Sequence, residues 1–159
     1  MGIRAAVGAC VSVLALAASA CGGRGRLTKA QTITRADAIC DRDAQSIAAA
    51  NRLPAQPTAQ QVAAFSLATV VPAYRREVAG LRALKPPAAD AARVAKVWDE
   101  LEQSVDVLES DARSDPAKLL GAPPAVIAQA GKGAQAYGFT RCARARHDEH
   151  RPTPKGSRK

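Results

Sequence analysis

Two apolar stripes with the same 3,4 spacing flank Lys85-Pro86-Pro87. Before the prolines the stripe is Ala64, Leu67, Val71, Tyr74, Val78 and Leu81; after them it is Ala91, Val94, Trp98, Leu101, Val105, Leu108 and Ala112. Steps of three and four place each set on one seam of a helix. The prolines stop the first helix, so the two stripes predict an antiparallel helical hairpin. Folding about Pro86 sets Leu81 on Ala91, Val78 on Val94, Tyr74 on Trp98 and Val71 on Leu101, with apolar partners in every layer. Pro72 lies inside the first stripe, where it removes a helix hydrogen bond and clashes one turn back, so a kink or break is expected there.

The remaining elements are read from caps and breakers. Thr34-x-x-Asp37 resembles a capping box for a first helix from about Arg35 to Arg52, with Ile39, Cys40, Ala44, Ile47 and Ala48 at helical spacing. Leu53 to Pro57 interrupts, and Thr58-x-x-Gln61 opens the helix that reaches about Leu84. The third helix extends to about Ala112. Ser114-Asp115-Pro116 starts a short helix through Leu120. A last helix from about Pro124 to Tyr137 carries Val126 or Ile127, Ala130, Ala134 and Tyr137, and stops at Gly138 with Phe139 after the cap. The expected fold is all-α: a small antiparallel bundle of about four main helices plus a short one. Such a bundle returns the chain to its starting end and brings Cys40 beside Cys142. A disulfide there closes the bundle and stabilises it by about 4–5 kcal/mol in the chain-entropy picture.

Residues 1–20 read as an address rather than as fold. Arg4 precedes the uncharged run Ala5 to Ala20, which is shorter than a membrane span requires. The run ends in Ala18-Ser19-Ala20-Cys21-Gly22-Gly23, which is similar to the bacterial lipobox, where Cys21 takes a diacylglyceryl thioether with acyl chains of the palmitate class and becomes the N-terminus. Ala18-x-Ala20 also suits an ordinary signal peptidase, which would release a soluble protein. Cysteine parity favours the lipid: Cys10 leaves with the leader, and the mature chain keeps Cys21, Cys40 and Cys142. With Cys21 acylated, Cys40 and Cys142 form one pair in an oxidising compartment. The expected layout is a signal peptide over 1–20, a lipidated flexible tether over 21–33, a bundle domain over 34–142 and a disordered basic tail over 143–159.

The net charge of +9 is unevenly spread. Arg35 to Arg141 holds 13 basic and 12 acidic residues, so the excess sits in the two arms. Arg24, Arg26 and Lys29 in the tether, with Arg144, Arg146, Arg151, Lys155, Arg158 and Lys159 in the tail, are candidate contacts to an anionic membrane surface or an acidic envelope polymer. Nucleic acid is not an expected partner, because the compartment is wrong and no aromatic residues interleave the basic ones. His147 and His150 are the weak candidates for a metal, spaced to share an ion but set in the expected tail; no metal or other cofactor is expected. Asp99, Glu102, Asp106 and Glu109 read as the solvated border of the third helix's seam before they read as acid/base pairs. Tyr74 and Trp98 read as core before ligand site. Aromatic residues are 3% of the chain, so the core is built mainly from Ala, Val, Leu and Ile, which leaves little room for a large cavity. No glycine-rich phosphate loop or nucleophile elbow appears, so catalysis is not expected.

The lipobox, Ala38-Ile39-Cys40, Leu84-Lys85-Pro86-Pro87 and Ala136-Tyr137-Gly138-Phe139-Thr140-Arg141-Cys142 together resemble the small helical lipoproteins and secreted proteins of actinobacteria. The resemblance covers most of residues 21–142 and implies location and fold, not an activity; the long basic tail departs from it. The expected function is non-enzymatic: a lipid-anchored domain on the extracytoplasmic face of the cell membrane that binds or organises an envelope protein, lipid or polymer. The alternatives are a small-ligand or metal-binding lipoprotein that hands cargo to a transporter and, ranked third, a hydrolase with a site that no motif reveals.

Overall fold

The computed structural model describes residues 25–148, with side chains through Arg144. Residues 1–20, read as a signal peptide, lie outside the described residues with Cys21, Arg24, His150, Arg151, Lys155, Arg158 and Lys159, as do the side chains of Arg146 and His147. The described chain is all-α: α1 (Lys29–Ala50), α2 (Ala59–Phe65), α3 (Val71–Arg82), α4 (Ala91–Ser114), α5 (Ala125–Tyr137) and α6 (Thr140–Asp148). Short 3-10 segments, Ala88–Asp90 and Pro116–Leu120, lead into and out of α4. No helix among the described residues is long and apolar enough to cross a membrane.

The hairpin forms from the two seams. Val71, Tyr74, Val78 and Leu81 of α3 are buried with Val94, Trp98, Leu101, Val105, Leu108 and Ala112 of α4, while Ala91 at the turn is half-buried. The helix does not end at Pro72. A π segment, Ser66–Val70, joins α2 to α3, and the Val71 N–H donates to the Ser66 carbonyl five residues back. The wider turn absorbs a residue that has no N–H to give and whose ring crowds the preceding turn.

The first helix starts six residues earlier than its sequence reading. Thr28 caps it: its hydroxyl accepts from the Gln31 N–H at 3.2 Å, and the Gln31 side chain accepts from the Thr28 N–H at 2.9 Å. Lys29 to Ile33 are therefore helical rather than tether. The residue read as the capping acid of α1, Asp37, caps a different helix. Its carboxylate accepts from the N–H groups of Arg141 and Cys142, at 2.9 and 3.4 Å, and from the Thr140 hydroxyl at 3.2 Å. These are the first N–H groups of α6, which have no partner inside their own helix. Residues 143–148, expected as tail, thus continue a helix. The second capping box, Thr58 with Gln61, forms as the spacing predicts.

Gly138 ends α5 with φ +113°, in the left-handed region, and its carbonyl turns the chain into α6. There Cys40 and Cys142 are joined by a disulfide, with Cα atoms 5.1 Å apart across a separation of 102 residues. The core fills the space between α1, α3, α4, α5 and α6, where the small residues Ala130, Gly131 and Ala134 are buried on α5. Phe139 is completely buried, and of the described large apolar side chains Leu120 stands exposed, at 56%.

Candidate functional site

At the end of the bundle where α1 begins, the entering chain is stitched to the α3–α4 turn. The Leu27 N–H donates to the Lys85 carbonyl at 2.7 Å, and the Arg26 guanidinium donates to the Pro86 carbonyl at 3.0 Å. Beneath that turn three rings form a column: Trp98 stacks on Phe139 with centroids 4.8 Å apart, and Phe139 meets Tyr137 at 4.6 Å. Trp98 is 3% exposed and Tyr74 2%, so both aromatic candidates are core residues.

Tyr137 carries the electrostatics. Its hydroxyl donates to Asp90 at 2.9 Å, the Lys29 ammonium lies 5.1 Å from its ring centroid, and the Arg93 guanidinium lies 5.7 Å from it. Burial pushes the phenol up to about 12, with the Asp90 carboxylate adding to the shift and Arg93 opposing it. Arg93 also donates to the Ala136 carbonyl at 2.9 Å, which fixes it over the end of α5. Arg26, Lys29, Lys85 and Arg93 are all exposed, and among the described residues none of the four has a carboxylate within 4.0 Å. The arrangement is a cationic cap resting on an aromatic column. Cations held over a ring face are both stabilised and positioned by it.

Two of the four, Arg26 and Lys29, belong to the residues read from sequence as membrane contacts. Lys85 and Arg93 were not among them, since one reads as a turn residue and the other as a solvated helix position; only the tertiary fold brings them beside Lys29. Arg144 is exposed on α6, a helix away from this end of α5.

The carboxylates of α4 do something else. Arg82 holds Asp99 and Glu102 at 2.7 and 2.5 Å; Arg75 holds Asp106 and Glu109 at 2.7 and 2.9 Å. Hydrogen bonds from Arg113 and then Arg75 hold the Glu109 carboxyl below its usual range. A guanidinium neighbour favours the charged carboxylate, the opposite of what a general acid needs. Among the described residues no group of three or more His, Cys, Asp and Glu side chains is placed to hold a metal ion.

A concavity between α4, the Pro116–Leu120 segment and α5 is lined by Leu108, Asp111, Lys118, Leu119 and Ile127. Its volume of about 10 Å³ is room for about one water.

No family model, curated protein or solved structure matches the chain. The cationic cap and the cysteine arrangement therefore carry the functional argument by themselves.

Proposed function

We propose that this chain is an exported lipoprotein, anchored through Cys21 on the extracytoplasmic face of the cell membrane, whose helical domain binds or organises an envelope component without catalysis. The observation that carries this reading is the Cys40–Cys142 disulfide. It leaves Cys21 as the one unpaired cysteine of a chain cut after Ala20, and it belongs to an oxidising compartment. The arginine-bound carboxylates on α4 and the buried positions of Tyr74 and Trp98 are in keeping with a binding or structural role.

The test is intact and peptide mass spectrometry of unreduced protein isolated from its own membrane. The expected result is a diacylglyceryl group on Cys21 together with a crosslinked peptide joining Cys40 and Cys142. An unlipidated chain cut before Cys21 would overturn the anchor, and free thiols at 40 and 142 would overturn the assigned compartment.

A further inference from the structure

We infer that the cationic cap of Arg26, Lys29, Lys85 and Arg93 is a docking surface for the anionic headgroups of the bilayer that holds the lipid, so that the domain stands on the membrane by the end where α1 begins. The inference rests on the anchor reading above and names the partner of that anchored domain. Four independent features point to it.

The first is reach. Gly25, the first described residue, is four residues from Cys21, and four extended residues span at most about 14 Å. Two of the cations, Arg26 and Lys29, follow within that short lead, and the hydrogen bonds of Leu27 and Arg26 pin the lead to the α3–α4 turn. A lipidated Cys21 therefore brings this end, and no other, within about one or two Debye lengths of the headgroups at physiological salt.

The second is charge: among the described residues none of the four cations has a carboxylate within 4.0 Å. Elsewhere among those residues Arg42, Arg75, Arg82, Lys96, Arg113, Lys118 and Arg141 have carboxylates within 4.0 Å, while Arg35, Arg52, Arg76, Lys132 and Arg144 do not; what sets the cap apart is that four such cations gather at one end, beside the entering chain. At the cap the nearby acid is Asp90, which is engaged by the Tyr137 hydroxyl.

The third is backbone polarity. Helices α1 and α4 start at this end while α3 and α5 finish there, and the N-terminus of α6, which follows α5 directly, is met by the Asp37 carboxylate. Their macrodipoles offset one another, so the side chains decide the sign.

The fourth is rigidity. Lys29 and Arg93 are held against the Tyr137 ring, and Arg26 and Arg93 are tied to backbone carbonyls. Little side-chain freedom is left to lose on contact. A bilayer is favoured over a soluble envelope polymer because the short lead presents the cap to the membrane without any further encounter.

The test uses the membrane-purified chain with its lipid in place, reconstituted on vesicles of phosphatidylcholine alone or of phosphatidylcholine with phosphatidylglycerol. A membrane-impermeant acylating reagent labels amines, and peptide mass spectrometry reads each lysine. At about 1 kcal/mol per basic residue near an anionic surface, Lys29 and Lys85 are expected to label about fivefold more slowly on the phosphatidylglycerol vesicles. The protection should vanish at high salt, and Lys118, beyond the far end of α4, should label alike on both. Equal labelling of Lys29 and Lys85 on the two vesicle types would overturn the inference. Protection confined to Lys155 and Lys159 would overturn it by assigning the contact to the tail. Equal protection by soluble poly(glycerol phosphate) without vesicles would overturn it in favour of a polymer. A chain without lipid on Cys21 would sink the anchor reading instead. Vesicles added from outside then still read the cap: protection by phosphatidylglycerol upholds the surface, and none removes it.

Discussion

The α3–α4 face and the end where α1 begins carry comparable numbers of basic side chains but use them in opposite ways. On the face, Arg75 and Arg82 each reach two carboxylates of α4, and the charges close on one another across the hairpin. At the end, Arg26, Lys29 and Arg93 are held by a ring face and by backbone carbonyls, which position a cation without neutralising it, and Lys85 stands exposed on the turn beside them. The flank thus ties its arginines to carboxylates, whereas the end gathers four cations without one among the described residues, which is what the proposed headgroup contact uses.

The comparison is broken most severely by removing what holds the end together. Replacing both Cys40 and Cys142 with alanine is expected to cost about 4–5 kcal/mol in urea unfolding, because the link closes most of the domain. A cost under about 1 kcal/mol would mean that α6 and its connection to α5 are held by packing alone. Phe139→Ala should cost about 3–5 kcal/mol, since the ring is fully buried between Trp98 and Tyr137. If near-ultraviolet circular dichroism of Trp98 survived that substitution unchanged, the column would not be the support of the cap.

Tyr137 sharpens the comparison through pH. An unfolded phenol titrates near about 10, and in the fold Tyr137 titrates at about 12. The raised value means that its contribution is fully present below about pH 10 and is lost as the pH climbs through the folded value. Tyr137→Phe, which removes the hydrogen bond to Asp90, should therefore cost about 1 kcal/mol at neutral pH. The gap to wild type should close between about pH 10 and 12. A gap that stays constant through that window would deny the raised titration of Tyr137, to which burial contributes most and Asp90 next.

The smallest effects separate the two regions directly. Arg82→Gln should destabilise by about 0.2–1 kcal/mol, and less in high salt, because its two pairs are half exposed. Lys29→Gln with Lys85→Gln should change thermal stability by no more than about 0.5 kcal/mol. A loss from the lysine pair that shrinks in high salt as the Arg82 loss does would erase the distinction, since it would mean that the lysines too are paired with carboxylates.

The hairpin was legible because its two seams repeat over several turns, and a long repeat outweighs local ambiguity. The start of α1 was not, because Thr28-x-x-Gln31 and Thr34-x-x-Asp37 are equally good local caps. The choice between them is made by contacts to residues 60 and 104 positions away: Arg26 reaches the turn at Pro86, and Asp37 is taken up by the backbone of Arg141. Helix α6 left no apolar period to read; it is held by Cys142, by the buried Ala143 and by a carboxylate from another helix. The cap was half legible for the same reason. Arg26 and Lys29 stand out beside the lipobox, whereas Lys85 and Arg93 are ordinary until the turn folds onto them.

That borrowed carboxylate of Asp37 also bears on which thiols find each other. Among the described residues α6 runs for nine, and a stretch of that length is marginal in water by itself. The first turn of α6 is closed by an acceptor that α1 supplies, and Cys142 lies beside Cys40 where those two helices meet. In the proposed exported chain, with Cys21, Cys40 and Cys142, this contact between two helices favours the Cys40–Cys142 bond, which would leave Cys21 to the lipid.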